Sequence, residues 1–158
     1  MVDATSEIKC LILPVQGRPV VLPNAAVAEI ITQQDIEPCA DAPPWLLGTG
    51  HWRGLHIPLV AFDSLTGERE DTPQAAGRFV VVFGLEGEGA PGFYGIRIDA
   101  LPRSETVDAE RLQPVDGAAH PSEYIGARAR LSDERECLVP DFDALGQLLT
   151  QYAPRPTP

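Results

Sequence analysis

No apolar run in this chain approaches the roughly 20 residues that a membrane-crossing helix needs, and the opening residues MVDATSEIK lack the basic-then-apolar order of a secretion signal. The expected location is therefore the cytoplasm. Basic charge is scarce: 12 Lys and Arg stand against 23 Asp and Glu, for a formal net charge of −11. Such a surface repels phosphate backbones and anionic headgroups alike, so neither nucleic acid nor membrane insertion is an expected interaction. Cysteine is also sparse. Cys10, Cys39 and Cys137 are odd in number, far apart and without a C-x-x-C spacing, which excludes a disulfide framework and a thiolate metal centre and leaves buried apolar thiols.

Catalytic patterns are missing as well. The histidines are His51, His56 and His120, and no pair has the i, i+4 spacing of a zinc helix. His51 and His56 flank Arg53 and can converge across a turn and strand, but no thiolate or carboxylate ligand pattern accompanies them. No serine sits in a G-x-S-x-G setting, so there is no nucleophile elbow. Gly84, Gly87, Gly89 and Gly92 follow a strand but lead into another strand, without the helix N-terminus that cradles phosphate. No catalytic residue, cofactor or metal is expected. The acids Glu68, Glu70 and Asp71 read as part of a solvated loop.

What is present is a chain of 158 residues with 44% apolar content, enough for one ordinary domain with a real core. Ile8 to Val15 is apolar on both alternate faces apart from Lys9, as in a strand covered on two sides. Gln16-Gly17 turns it into Val20-Val21-Leu22. Asn24 is placed to cap a short helix, NAAVAEII, with Val27, Ile30 and Ile31 on its buried face. Gln33 to Pro44 reads as a polar connector. Leu55 to Phe62 reads as a strand that Pro58 confines to an edge or a bulge. Thr66 to Arg78 reads as an exposed, mobile loop, and Phe79 to Leu85 and Phe93 to Ile98 as strands joined by a long glycine-rich connection. Pro102 to Glu123 is a mixed segment. Ala127 to Leu131 and Glu136 to Val139 are short strands, and Asp141 caps a helix carrying Phe142, Leu145, Leu149 and Tyr152. Many short strands at roughly ten-residue spacing, with no βαβ alternation and no internal repeat, predict a mainly β protein built from small barrels.

One pair stands apart. On a helix, Glu29 falls off the apolar face and close to the C-terminus, where the macrodipole disfavours a carboxylate. A cation is the natural partner there, and Arg53 on a glycine-flanked turn is the best candidate.

Val27-x-Glu29-Ile30, Pro43-Pro44, the run Gly48-Thr49-Gly50-His51-Trp52-Arg53-Gly54 and then Pro58-Leu59-Val60 together resemble the CheW family of chemosensory coupling proteins. The second half is similar more loosely. Phe93-Tyr94-Gly95-Ile96-Arg97-Ile98-Asp99 looks like the family's G-x-x-V-D strand, and Tyr124-Ile125-Gly126 followed by Cys137 to Leu145 looks like its closing strands and helix. The resemblance covers about Ile8 to Tyr152. It implies one CheW-like domain over residues 1–153, made of two intertwined five-stranded SH3-like barrels that share a core, with a short helix after the first hairpin, a C-terminal helix, a disordered tail over 154–158 and no active site.

The partners it implies are the cytoplasmic domain of a chemoreceptor, the regulatory domain of a CheA-type histidine kinase and other CheW-like proteins. Carried across by position, Val27, Glu29, Gly48 and Arg53 line or brace the receptor side, with Trp52 and Gly54 of the same turn, and Glu29 pairs with Arg53. His51-Trp52 stands where the family usually has an asparagine-leucine or similar pair, and Ala100-Leu101-Pro102 replaces a valine-rich run. These departures resemble the stand-alone ChpC and PilI kind of twitching-motility systems. Three readings outside a receptor-kinase coupler stay open: a small-ligand-binding β-barrel, an enzyme using His51 and His56, and a CheW-like decoy that competes for array positions.

Overall fold

The computed structural model describes residues 7–71, 73–84, 92–108, 113–114, 124–131 and 134–152. The glycine-rich connection at 85–91, His120 and the tail 154–158 lie outside the described residues. In chain order the elements are β1 (Glu7–Leu13), β2 (Val20–Pro23), β3 (Val27–Gln33), β4 (Leu46–Trp52), β5 (Leu55–Val60), α1 (Phe62–Leu65), β6 (Gly77–Phe83), β7 (Phe93–Ile98), β8 (Arg103–Asp108), β9 (Gln113–Pro114), β10 (Ile125–Arg130), β11 (Glu136–Pro140) and α2 (Phe142–Thr150).

Two sheets result. One has six strands in the order β8-β1-β2-β11-β10-β9, the other five in the order β3-β6-β7-β5-β4. The mainly β architecture is as expected, with one correction: among the described residues neither ladder closes on itself, and one sheet has a sixth strand of two residues. The five-stranded sheet is an insertion, because the chain leaves the first sheet after β2 and returns to it at β8. A parallel pairing of Leu138 on β11 with Val20 on β2 joins the two ends of the chain.

Alternation explains why both faces of the strands are apolar. Leu13, Val20, Leu22 and Leu138 of one sheet meet Val80, Val82, Tyr94, Ile96 and Ile98 of the other in a shared core, while their neighbours Cys10, Ile12, Val21 and Cys137 fill a second layer inside the first sheet. Phe79, Val81, Ile57, Leu59 and Trp52 fill a third layer inside the five-stranded sheet. A strand with period-two side chains serves two layers only if both residue sets are apolar. The α2 helix then lays Leu145 and Leu149 onto the shared core. Its start is fixed by Asp141, whose side chain accepts a hydrogen bond of 3.0 Å from the Ala144 N–H.

One polar atom in that core is unmatched. The Tyr94 hydroxyl is buried without a hydrogen-bond partner, and burial raises its pKa above the ordinary tyrosine value. Leaving a buried hydroxyl unpaired costs roughly 1–3 kcal/mol. Tyr94→Phe keeps the ring and removes the cost, so denaturant unfolding should show a gain of about 1 kcal/mol.

Three further expectations are corrected. The predicted helix from Asn24 is a single 3-10 turn, Asn24–Ala26, with no side-chain cap, and the rest of the segment is β3. β-branched Val27, Ile30, Ile31 and Thr32 suit a strand, and pairing with β6 satisfies a backbone that a two-turn helix would leave half unpaired. Pro58 lies on an internal strand, not an edge. The parallel ladder to β7 begins only at Leu59, so at Pro58 the strand has a ladder neighbour on the β4 side alone.

The loop after α1 is only partly solvated. The Glu68 and Arg69 side chains are 16% and 14% exposed. Glu68 takes Arg18 from the β1-β2 turn at 2.5 Å, and Asp63 in α1 accepts from the Gln16 N–H at 3.1 Å, so the loop and the helix before it are both tied to the other sheet. Gly17, with φ of 81°, allows this approach, since a Cβ there would sit 2.4 Å from a Glu68 carboxylate oxygen. Asp71 stays exposed.

Candidate functional site

The site begins with a turn. Trp52 and Leu55 pair across the β4-β5 hairpin, leaving Arg53-Gly54 as a two-residue loop with φ of 50° and 77°. Two positive φ values in succession define a type I′ turn, which matches the twist of the strands and favours Asn or Gly. Gly54 fits. Arg53 takes a left-handed conformation that a long side chain adopts at some cost, and that cost calls for a compensating contact.

The contact is Glu29. Its carboxylate accepts from Arg53 Nη2 at 2.5 Å and from the Trp52 indole N–H at 3.2 Å. The Arg53 guanidinium carbon also lies 5.0 Å from the centre of the Trp52 ring, a cation-π distance. Trp52 is buried, so one carboxylate is held by one buried and one exposed donor.

A bulge aims Glu29 there. Val27 pairs with Val82, whose side chain enters the shared core, but the register shifts before Glu29, which pairs with Val81 on the opposite face. In a regular strand residues two apart share a face, so the extra residue turns Glu29 away from Val27 and towards Trp52. Gln33, further along β3, donates to the His51 carbonyl at 2.9 Å. β3 and β4 are the two outer strands of the five-stranded sheet, so these side chains from Glu29 and Gln33 span the seam that no backbone ladder closes. Glu29 therefore holds its cation from a strand, and the expected helix-dipole conflict plays no part.

Of the residues expected at this site, Glu29, Trp52, Arg53 and Gly54 are brought together. Val27 is half-buried against the shared core. Gly48 is buried at the far end of β4, under Ile36 and Glu37. An aromatic series that sequence reasoning missed runs outward from Trp52. Phe93 lies against Trp52 with ring centres 4.8 Å apart, and Phe83 against Phe93 at 5.4 Å. Phe83 and Leu55 are 50% and 44% exposed, and Ile30, on the other face of the edge strand, is 41% exposed. Their apolarity was visible in the sequence, but only the strand pairings place them: β4-β5 sets Leu55 beside the turn, β6-β7 sets Phe83 against Phe93, and β3-β6 turns Ile30 to the opposite face.

Hydrogen bonds from Arg53, and then Trp52, hold the Glu29 carboxyl below its ordinary pKa. The group is charged in the fold at pH values where the unfolded chain begins to protonate it. Its contribution to stability is present above the ordinary glutamate value of about 4.3 and is lost as pH falls through the lowered folded value. Carbon-detected NMR titration should give Glu29 a midpoint below the ordinary value, and Arg53→Gln should move that midpoint upward.

Among the described residues no three His, Cys, Asp or Glu side chains gather at one point, and no helix is long and apolar enough to cross a membrane. Two clefts of about 250 and 280 Å³ are lined from one sheet each, the first by Ile12, Pro14, Pro19, Leu101, Arg103 and Arg135, the second by Thr32, Gly77, Arg78, Arg97, Ile98 and Asp99.

No curated protein sequence gives a significant match to this chain. Among solved structures, the crystal structure of the scaffolding protein TtCheW from Thermoanaerobacter tengcongensis matches with a TM-score of 0.72, covering 87% of this chain and 86% of that one. The two share 16% sequence identity, so this likeness is one of fold. The sequence itself matches the CheW-like domain family over residues 9–149, a span that takes in both sheets, the Glu29 and Arg53 pair and nearly all of α2. The chain belongs to the CheW-like domain family.

Proposed function

We propose that this chain is an adaptor that couples the cytoplasmic tips of chemoreceptors to the regulatory domain of a CheA-type histidine kinase, in an array that includes other CheW-like proteins. Members of the CheW-like family are non-catalytic scaffolds of chemosensory signalling, and this chain belongs with them. The observation that carries the finer reading is the Glu29, Trp52 and Arg53 constellation.

A receptor tip presents helices, and a helix docks on exposed apolar side chains beside a few fixed charges. Leu55 supplies apolar surface beside the turn and Phe83 adds more at the end of the Trp52–Phe93 series, while the Arg53 side chain is 67% exposed with its end held by Glu29. Fixing a flexible guanidinium before the partner arrives lowers the entropy lost on binding. Apolar contact then supplies affinity, and the charges set register.

Titration of the purified chain with a receptor-tip fragment, and separately with a kinase regulatory domain, tests the proposal. Saturable binding to both is the expected result. Binding to neither, by a chain that melts cooperatively, overturns it.

A further inference from the structure

We propose that His51 and His56 form a two-imidazole chelating site for a divalent transition metal of the zinc, copper and nickel class. The two residues lie directly opposite each other on β4 and β5, one step from the turn. In a hairpin closed by a two-residue loop, the pair next to the turn exchanges both backbone hydrogen bonds and the following pair exchanges none. That second pair is His51 and His56. Non-hydrogen-bonded pairs bring their side chains closest, and here the ring centres are 4.1 Å apart.

Both rings are exposed. Neither takes part in a hydrogen bond or ion pair among the described residues, so their nitrogen lone pairs are not committed elsewhere. Two nitrogens bound about 2.0–2.1 Å from one tetrahedral metal lie roughly 3.4 Å apart. Rings already in contact reach that spacing by side-chain rotation, with the backbone left where it is. Imidazole is a ligand for zinc, copper and nickel, while calcium and magnesium prefer oxygen, which sets the class.

The platform is rigid. The His51 carbonyl is held by Gln33 across the seam, and neighbouring Trp52 is buried. Among the described residues no third protein ligand joins the pair, so water or a partner's side chain completes the coordination. A chelate on a fixed hairpin binds more tightly than separate imidazoles because the second contact forms at high effective concentration.

Calorimetric titration of the whole chain with zinc chloride in a non-coordinating buffer is the test, joined by electron paramagnetic resonance of the cupric form. The expected result is one ion per chain, with copper showing hyperfine coupling to two nitrogens. His51→Ala and His56→Ala should each weaken zinc at least tenfold, and His120→Ala should leave it unchanged. Zinc at 100 times its Kd should raise the melting temperature by roughly 5–10 °C, and either single variant should lose about half of that shift or more at the same metal concentration. Equal zinc affinity in the native chain and His56→Ala, binding that disappears with His120→Ala, or no binding at all each overturns the assignment. His51→Ala and His56→Ala change exposed side chains on paired strands, so circular dichroism should report an unaltered fold in both.

Discussion

Arg53→Glu is expected to weaken binding of the receptor tip by about 30- to 100-fold while leaving the melting temperature nearly unchanged. The magnitude is that of a charge lost from the centre of an interface, about 2–3 kcal/mol. Stability is spared because the Arg53 side chain is largely exposed and exposed ion pairs contribute little to folding. Two things change on the surface at once: the cation disappears, and Glu29 acquires a like charge where it had a partner. Arg53→Gly separates them. It removes the cation and relieves the positive φ, so it should fold at least as well as the native chain and lose a smaller part of the affinity. Anisotropy titrations with a labelled receptor fragment, alongside thermal melts, read both effects. Native affinity in Arg53→Glu would mean that the Glu29 and Arg53 pair closes a seam and touches no partner. Retained binding to the kinase domain by the same variant would confirm that the damage is local.

The strands that alternation makes legible are those whose two faces both end in apolar layers. β1, β6, β7 and β11 carry dense runs of Val, Ile, Leu and Phe, and their two-sided burial follows from that density. β4 and β8 are a different case. Leu-Leu-Gly-Thr-Gly-His-Trp has glycine where a strand should pack a side chain, and Arg-Ser-Glu-Thr-Val-Asp is polar at most positions. Each becomes a strand because a neighbour supplies the hydrogen bonds: β5 for β4, β1 for β8. Tertiary pairing of that kind leaves no periodic trace in the segment itself. β3 shows the opposite error, since Asn24 followed by an apolar i, i+3 pattern resembles a helix start until the β6 edge is available to pair with it.

For the site, the partnership of Glu29 and Arg53 was legible from motif spacing, but its geometry was not. The bulge between Val27 and Glu29 decides which face the carboxylate takes, and no residue type announces a bulge there. The indole bond to Glu29 is likewise a product of the fold. A leucine at position 52 would pack in the same layer but could donate nothing, whereas the tryptophan both fills the layer and holds the carboxylate. The aromatic series of Trp52, Phe93 and Phe83 depends on β6-β7 register that only the assembled sheet defines.

Gly48→Ala is expected to give the largest loss of stability of any single change proposed, about 3 kcal/mol or more, with a fall in melting temperature of roughly 6–12 °C. Gly48 has φ of 145°, a conformation that side-chain-bearing residues rarely adopt. A Cβ there would stand 2.4 Å from the Glu37 carbonyl oxygen and 2.7 Å from Ile36 Cγ2. The oxygen is backbone and cannot rotate away. It also accepts the Thr49 N–H at 2.7 Å, while the Glu37 N–H donates to Thr49 at 3.0 Å, a two-bond bridge that pins the connector between β3 and β4 to the sheet. Making room for one methyl group therefore strains the backbone and breaks the bridge, leaving polar groups of the buried Thr49 unpaired. Since Gly48 is itself buried, any loss of receptor binding in this variant must pass through the position of β4, whose other end carries Trp52 and leads into Arg53. Chemical denaturation and receptor titration on the same sample should show stability falling by far the larger factor. A Gly48→Ala chain that melts like the native protein yet fails to bind receptor would require Gly48 to touch the partner directly, against its burial here.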